Sequence, residues 1–335
     1  MRMARPLKDA LLAVASHTLL PRGTRGRASI LIYHRVLPRP DPIRDWEIDA
    51  ATFDAQMAML AQRFAPLPLA EAVARLRAGV RLPERAVCVT FDDGYADNVS
   101  VALPLLQRHG IPATFFVASG YLDGGRMWND TVIEAIARSP RTSLDLADIG
   151  LGVLPLASAQ ERKAAIGALL PALKHLPWEQ RESHASAIAQ AGGARLPDDL
   201  MLRSEDLLAL AAAGMDIGGH TCGHPILRNL SPDRAEREMA RDRDRLAHIV
   251  GRPIKLFAYP NGKPGNDYLP EHVAMAKALG FAAAVSTVRG AVDRTSDPYQ
   301  LPRFTPWDRS PRRFALRLLD NFRRTPGGRH HPQHS

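Results

Sequence analysis

The sequence predicts an α/β protein in which strands and helices alternate around a parallel sheet or barrel. Short apolar runs rich in β-branched residues, such as Val-Cys-Val-Thr-Phe at 87–91, are typical of buried strands. Segments with apolar residues at helical spacing separate these runs. The chain has 335 residues, of which 45% are hydrophobic, so it can form one large α/β domain or two smaller ones. We therefore expect functional side chains at the carboxyl ends of the strands.

The first part of the chain follows this alternation up to about residue 120. A strand is predicted at 29–34, and it ends on His34. Thr52 is predicted to cap the helix that follows. The other elements predicted here are helices at 69–78 and 97–109, the strand that ends at Asp92, and a strand at 113–117.

The alternation stops between about residues 121 and 200, where no strong strand is visible. We interpret this segment as a helical insertion that covers the site or binds a partner. Its predicted helices lie at 128–138, 157–174 and 178–191.

The strand and helix alternation resumes after the insertion. Ser231 and Pro232 are predicted to begin a long charged helix that ends at Gly251. The other elements predicted in this part are helices at 203–213, 271–279 and 312–323, and strands at 215–218, 255–259, 281–285 and 301–304.

The two ends of the chain carry its positive charge. The formal net charge is +9; residues 1–27 hold six Lys and Arg and one acid, and residues 303–335 hold eight and two. Such basic ends are either simply solvated or contact a membrane surface or another anionic polymer. No base-reading module is visible, so we expect no nucleic-acid partner.

Residues 1–27 are predicted to form a basic amphipathic segment, and residues 326–335 a disordered tail. The apolar stretch near the start is short, is interrupted by polar residues and lacks a clear cleavage site, so it does not resemble a signal peptide. No segment is long enough to span a bilayer. A cytoplasmic or membrane-peripheral location is therefore expected.

Two adjacent acids and a histidine pair form the candidate site. Asp92 and Asp93 end a predicted buried strand and precede Gly94, a pattern that fits either a surface turn or a site with one acid for a metal and one for a proton. His220 and His224 are four residues apart and can reach one ion together. Two histidines and a carboxylate form a known zinc set with open positions.

These motifs resemble those of the polysaccharide deacetylases, carbohydrate esterase family 4 with the NodB homology domain. Thr-Phe-Asp-Asp-Gly at 90–94 and His-Thr-Cys-Gly-His at 220–224 carry the resemblance. It implies a distorted (β/α)7 barrel over residues 28–325, with the insertion at about 121–200. It also implies a divalent metal, with zinc expected, held by Asp93, His220 and His224, and a general base at Asp92.

Three further roles follow from the resemblance, and two of them involve departures from it. Tyr259, in a segment like the third family motif, would supply an oxyanion N–H. Ala258 stands where many members have the arginine that tethers the base, so we expect Arg303 to replace it, unless Arg303 is a surface charge. The usual late histidine is absent, and His34 is expected as the general acid, unless it is structural. The Tyr-His element at 33–34 is similar to that of deacetylases acting on poly-β-1,6-N-acetylglucosamine.

The candidate substrate-binding residues are Tyr95, Trp128 and Asn261, although Trp128 can equally pack the insertion onto the barrel. The expected function is metal-dependent removal of acetyl groups from an N-acetylated saccharide or polysaccharide. Two alternatives stay open: hydrolysis of a small cyclic amide, and non-catalytic saccharide binding by a relict barrel. The missing arginine and the missing late histidine keep the second alternative open.

Overall fold

The structure, a computed structural model, describes residues 26–324. The predicted tail at 326–335 and almost all of the predicted segment at 1–27 lie outside these residues. In the part of the chain that is described, no helix is long and apolar enough to cross a membrane.

Strands and helices alternate along most of the described chain. The strands are β1 (Ala28–Tyr33), β2 (Val36–Leu37), β3 (Ile48–Asp49), β4 (Ala65–Pro66), β5 (Ala86–Phe91), β6 (Ala113–Val117), β7 (Ser143–Leu146), β8 (Gly152–Pro155), β9 (Asp216–Gly219), β10 (Leu256–Ala258), β11 (Ala283–Arg289) and β12 (Leu301–Arg303). The α-helices are α1 (Ala50–Arg63), α2 (Leu69–Arg77), α3 (Leu103–His109), α4 (Trp128–Arg138), α5 (Ala159–Lys174), α6 (Trp178–Gly192), α7 (Ser204–Ala212), α8 (Pro232–Val250), α9 (Pro270–Ala278) and α10 (Pro311–Asn321).

Seven parallel strands form a nearly closed barrel. They pair in the order β1-β5-β6-β9-β10-β11-β12. The sheet curls until its first and last strands meet: the N–H of Phe304, just after β12, donates to the carbonyl of Ile30 at 2.7 Å, and its carbonyl accepts from the N–H of Ile32 at 3.0 Å. The prediction of a distorted (β/α)7 barrel is confirmed.

Alternate residues of the strands face the barrel interior. Cys88 of β5, Phe116 of β6 and Leu301 of β12 belong to one buried cluster. Successive side chains of a strand point to opposite faces. Asp92 is four residues after Cys88 and Arg303 is two residues after Leu301, so both lie on that inner face as well. Both therefore lie at the carboxyl end of the barrel, where the sequence predicts the site.

Two predicted details of the barrel helices are wrong. The N-cap of α1 is Asp49 instead of Thr52, because the Asp49 carboxylate accepts the N–H of Thr52 at 2.8 Å. The predicted helix at 97–109 is a π-helical turn over Asn98–Ala102 followed by α3. Pro104, at the start of α3, has no N–H to donate, and this interrupts regular α-helical bonding at that point.

The segment between β6 and β9 builds a small core of its own. Helices α4, α5 and α6 pack around Ile136, Leu144, Ile166 and Ile188. No strong strand is expected from the sequence of this segment, yet β7 and β8 form a short antiparallel pair. In β7 the residues alternate between exposed and buried, with Leu144 and Leu146 facing the small core, and this short period-2 pattern was overlooked.

Candidate active site

Asp93, His220 and His224 converge at the carboxyl ends of β5 and β9. The Asp93 Oδ1 atom lies 3.4 Å from the Nε2 atom of each histidine. One ligand atom from each residue lies within 4.8 Å of the others. Asp93 and His224 have positive φ angles of 76° and 52°, which an L-residue adopts at a cost and which here turn the side chains toward one point.

The chemistry of this donor set fits a divalent metal ion. Asp93 Oδ1 is buried and has no hydrogen-bond partner among the described residues. A buried carboxylate oxygen without a donor is costly, and a cation between it and two imidazole nitrogens would remove that cost. Two histidines and one carboxylate match a catalytic zinc set, which leaves positions open for water and substrate.

Hydrogen bonds hold His220 with its Nε2 atom facing the two acids. Its Nδ1 atom lies 2.7 Å from the Ala258 carbonyl, so Nδ1 carries the proton and Nε2 is the free nitrogen. The backbone N–H of His220 donates to Asp242 Oδ2 at 2.8 Å, and the N–H of Ser119 donates to Oδ1 at 2.9 Å. Burial raises the pKa of Asp242 to about 6, although these two N–H groups favour its charged form. Asp242 therefore joins the ends of β6 and β9 beneath the site.

The loop between the two histidines is supported from the insertion. The Tyr121 hydroxyl donates to the Gly223 carbonyl at 2.9 Å, and the Gly223 N–H donates to Glu238 Oε2 at 2.8 Å. Trp178 of α6 lies against the same glycine, where a Cβ atom would be only 2.4 Å from the indole ring. A larger residue at position 223 would therefore displace either Trp178 or the histidine loop.

Arg303 binds Asp92 with both of its terminal nitrogens. Each Nη atom donates to one carboxylate oxygen at 2.7 Å, and the Arg303 Nε donates to the Ser286 carbonyl at 2.9 Å. Arg303 is 1% exposed and Asp92 is 2% exposed. Burial raises the pKa of Asp92, but the charges of Arg303 and His220 and the hydrogen bonds from Arg303 together outweigh burial and bring the pKa below its usual value. Asp92 is therefore held ionised and in one orientation.

A cavity of about 560 Å³ opens above the two acids. His34, at the end of β1, lines it, and the Asn98 amide donates to the His34 carbonyl at 2.9 Å. Tyr95 and Asn261 also line the cavity, so with Asp92 four of the predicted site residues outside the metal set reach it.

The structure does not bring Tyr259 to the cavity. Its side chain is fully buried, its ring stacks on Tyr268 at a centroid distance of 3.9 Å, and its hydroxyl donates to the Tyr299 carbonyl. The Tyr259 N–H, which was expected to bind the oxyanion, donates instead to the carbonyl of Val285 at 3.3 Å because it continues the β10–β11 ladder. The cavity wall is reached two residues later, at Asn261.

Trp128 lies outside the main cavity. It packs against the insertion core and lines a neighbouring cavity of about 370 Å³. His224 and Asn261 line both cavities, so the two spaces adjoin at the candidate metal site. Trp128 thus contacts the insertion, as one interpretation of the sequence expected, and it also faces a space beside the site.

Two further carboxylates, Asp130 and Asp242, belong to the site, and sequence reasoning missed Asp242. The carboxylate of Asp130 accepts a hydrogen bond from the Tyr95 hydroxyl, with oxygen distances of 3.1 and 3.3 Å, and burial raises its pKa to about 7. Asp242 lies in the charged helix α8, where its sequence neighbours are also acids and arginines. Nothing local distinguishes a buried carboxylate from solvated ones there. The helical spacing could have identified Asp242, because it shares the buried face of α8 with Ala235, Met239 and Leu246.

A family model described as polysaccharide deacetylase matches residues 79–144 and 178–284, more than half of the chain. The chain belongs to the polysaccharide deacetylase family. The match includes Asp92, Asp93, His220 and His224, and it omits residues 145–177 of the insertion. The family places the protein among hydrolases that act on carbon–nitrogen bonds, as the sequence predicted, and it supports deacetylation of an acetylated saccharide.

Individual relatives of this polysaccharide deacetylase agree with the family assignment. The protein YxkH of Bacillus subtilis (strain 168), whose name places it in the same family, is 22% identical over 275 residues, which are 82% of this chain and 69% of YxkH. The deacetylase PplD of Streptococcus pyogenes, solved with acetate, has a TM-score of 0.59 and 19% identity, with 88% of this chain and 98% of PplD covered. IcaB of Ammonifex degensii has a TM-score of 0.54 and 21% identity, with 88% and 96% covered. At these identities the solved structures support the barrel fold.

Proposed function

We propose that the protein removes the acetyl group from an N-acetylated saccharide or polysaccharide, with zinc as its metal. The observation that carries the proposal is a buried carboxylate held by an arginine directly beside an Asp-His-His metal set. Both lie at the floor of a cavity large enough for a sugar residue. Arg303 contacts Asp92 in place of the family arginine that is absent at position 258. That absence was the argument for a relict barrel, and the contact weakens it.

Asp93, His220 and His224 would hold the metal. When bound, a divalent ion of this kind lowers the pKa of a water molecule toward neutrality and polarises a carbonyl oxygen. Asp92 then accepts the proton of the attacking water. Its pKa lies below the usual carboxylate value, so it is ionised and ready to accept at neutral pH.

The two hydrogen bonds from Arg303 fix the orientation of Asp92 toward the attacked carbonyl group. Arg303 is itself held in place, because it also donates to the Ser286 carbonyl and the Thr90 hydroxyl. Arg303 in this scheme is a positioning residue.

A backbone N–H at the cavity wall would stabilise the oxyanion of the tetrahedral intermediate. Asn261 lines the cavity, and no hydrogen bond from its N–H to a described residue is present. Asn261 has a φ angle of 60° and lies in the turn that leads from β10 to the cavity wall. We propose this N–H in place of the Tyr259 N–H.

His34 is the proposed general acid that protonates the leaving amine. It lines the same cavity as the metal set and directly follows β1, the strand that pairs with β5. Tyr95, Trp128 and Asn261 are the proposed substrate contacts. The similarity of the 33–34 element to one deacetylase branch makes β-1,6-linked N-acetylglucosamine oligomers a substrate to test.

Replacing His34 with Gln is expected to lower kcat for an N-acetyl sugar by about 100-fold, because the amine must be protonated to leave. Hydrolysis of an aryl acetate should fall by less than about fivefold, because a phenolate leaves without that proton. Acetate release and phenolate absorbance measure the two rates. Equal losses on both substrates would contradict the acid role.

Removing the metal is expected to abolish acetate release from N-acetylglucosamine oligomers, and about one equivalent of zinc per chain should restore it. The assay compares β-1,4-linked and β-1,6-linked oligomers after chelation and dialysis. His224→Ala should lose zinc affinity, and the control Lys163→Met, on an exposed side chain of α5, should keep it. Activity that survives complete metal removal would contradict the proposed function.

A further inference from the structure

The cavity beside the metal set, called here the insertion cavity, has a cationic wall. Its volume is about 370 Å³, and Lys174, His175 and Arg181 line it without any carboxylate side chain. Trp128, Asn129, Leu170, Pro171, His224, Ile226 and Asn261 complete the lining. A side chain from the metal set and three basic residues from the insertion therefore face the same space.

Arg181 is a buried cation whose ion-pair partner lies beyond hydrogen-bond distance. It is 4% exposed, and its Nε and Nη2 atoms have no hydrogen-bond partner among the described residues. The nearest acid is Glu182, whose Oε1 atom is 3.7 Å from Nη2, beyond hydrogen-bond distance. Burial accordingly lowers the pKa of Arg181. A buried guanidinium with two nitrogens that lack hydrogen-bond partners is costly, and an anion in the cavity would offset that cost.

Two tryptophans hold the Arg181 guanidinium in place. Its Cζ atom lies 5.1 Å from the ring centroid of Trp128 and 5.1 Å from that of Trp178. Cation–π contacts with these two rings orient the planar group and restrict its motion. Trp178 also packs on Gly223, between the two metal-ligating histidines. The cation is thus fixed relative to the reacting centre.

The main cavity has the opposite character. Asp92, Asp93, Glu47 and Asp130 line it. Its two arginines are already paired: Arg35 with Asp97 at 2.8 Å, and Arg44 with Asp41 at 2.6 Å and with Glu134. The insertion cavity, whose lining holds Arg181 and Lys174 and no carboxylate side chain, is the more favourable of the two spaces for a negatively charged group.

We propose that the insertion cavity is a subsite for an acidic sugar residue, adjacent to the acetylated residue and carrying a carboxylate or phosphate group. The proposal deepens the proposed function and rests on it. The acetamide occupies the main cavity at the metal set, and the chain passes His224 and Asn261 into the insertion cavity. There the anionic group meets Arg181 and Lys174. The substrate class is therefore an N-acetylated acidic glycan.

The test compares kcat/KM for three N-acetylglucosamine oligosaccharides of equal length. One is neutral, one alternates with glucuronate, and one carries a phosphate on the neighbouring residue. The wild type should prefer one or both charged substrates over the neutral one by about tenfold or more, and the preference should fall as salt rises. The charged substrate that is preferred identifies the group, carboxylate or phosphate.

The variants separate the subsite from the chemistry. Arg181→Met should reduce the charged-to-neutral preference at least about tenfold, Arg181→Lys should retain part of it, and Lys174→Met should reduce it less. Lys174 is half-buried, so this variant gives a readout even if Arg181→Met does not fold. Lys163→Met is the matched control, because Lys163 lies on α5 more than one turn before the residues that line the cavity. This variant should leave the preference unchanged.

The two proposals can fail separately. Turnover of all three substrates at equal efficiency, unaltered by Arg181→Met, would overturn the subsite and leave the deacetylase proposal standing. No acetate release from any substrate would overturn the deacetylase proposal. In that case, calorimetric titration with the glucuronate and phosphate oligosaccharides still tests whether the subsite exists. Binding that is equally strong in the wild type and in Arg181→Met would overturn the subsite.

Discussion

Arg303→Met is expected to lower the free energy of unfolding by about 3–5 kcal/mol, because it leaves the buried carboxylate of Asp92 without its cation. The two side chains are 1% and 2% exposed and share two 2.7 Å hydrogen bonds, so water cannot replace the lost partner. Urea unfolding of the metal-free protein measures the change in midpoint at constant slope.

A double-mutant cycle provides the control for this result. Arg303→Met together with Asp92→Asn removes both buried charges, so the double variant should be less destabilised than the sum of the two single variants. Arg303→Lys keeps the charge and loses the two-pronged contact, and its stability should lie between those of the wild type and Arg303→Met. Additive effects of the two single substitutions would show that the ion pair does not stabilise the fold.

Asp92→Asn is expected to lower kcat for acetate release by about 10²–10⁴-fold, the usual contribution of a general base. The amide is isosteric with the carboxylate and can still accept from Arg303, but it cannot take a proton from water. Zinc content should be unchanged, because Asp93, His220 and His224 supply the metal-binding atoms. Acetate assays on chitin oligomers, together with metal analysis of the same samples, measure both quantities.

Asp93→Asn is the matched comparison, because Asp93 directly follows Asp92 in the chain. It should lose activity and zinc affinity together, whereas Asp92→Asn should lose activity alone. An Asp92→Asn protein that is folded, loaded with zinc and as active as the wild type would exclude Asp92 as the base.

Most of the barrel could be predicted from local patterns. The strand β6 was placed at its observed bounds, and Trp128 was correctly placed at the start of α4, because continuous apolar runs and helical spacing are strong signals. Strand β7 was missed because four residues with only two buried positions carry little periodicity. The cap of α1 was shifted by three residues because both Asp49 and Thr52 are good capping residues, and only the fold decides which carboxylate or hydroxyl reaches an N–H.

The site was less accessible to sequence reasoning wherever partners lie far apart in the chain. The Asp93, His220 and His224 set was predicted because each residue lies in a motif. The contact of Arg303 with Asp92 joins residues 211 positions apart, and only the closure of the barrel determines it. The N–H of Tyr259 was expected to bind the oxyanion because its segment resembles the third family motif, and this expectation is wrong. The ladder hydrogen bond from its N–H to Val285 depends on the register of β10 and β11, which the motif does not specify.

The hydrogen bonds that join β1 to the chain after β12 have a consequence for biosynthesis. A chain emerging from the ribosome carries Asp92 long before Arg303, because the two residues are 211 positions apart. Until that strand docks, Asp92 has no cation and the barrel seam between Ile30 and Phe304 is open. The ion pair and the closed barrel therefore form only after residues 301–304 have left the ribosome, so a chain terminated before them lacks both.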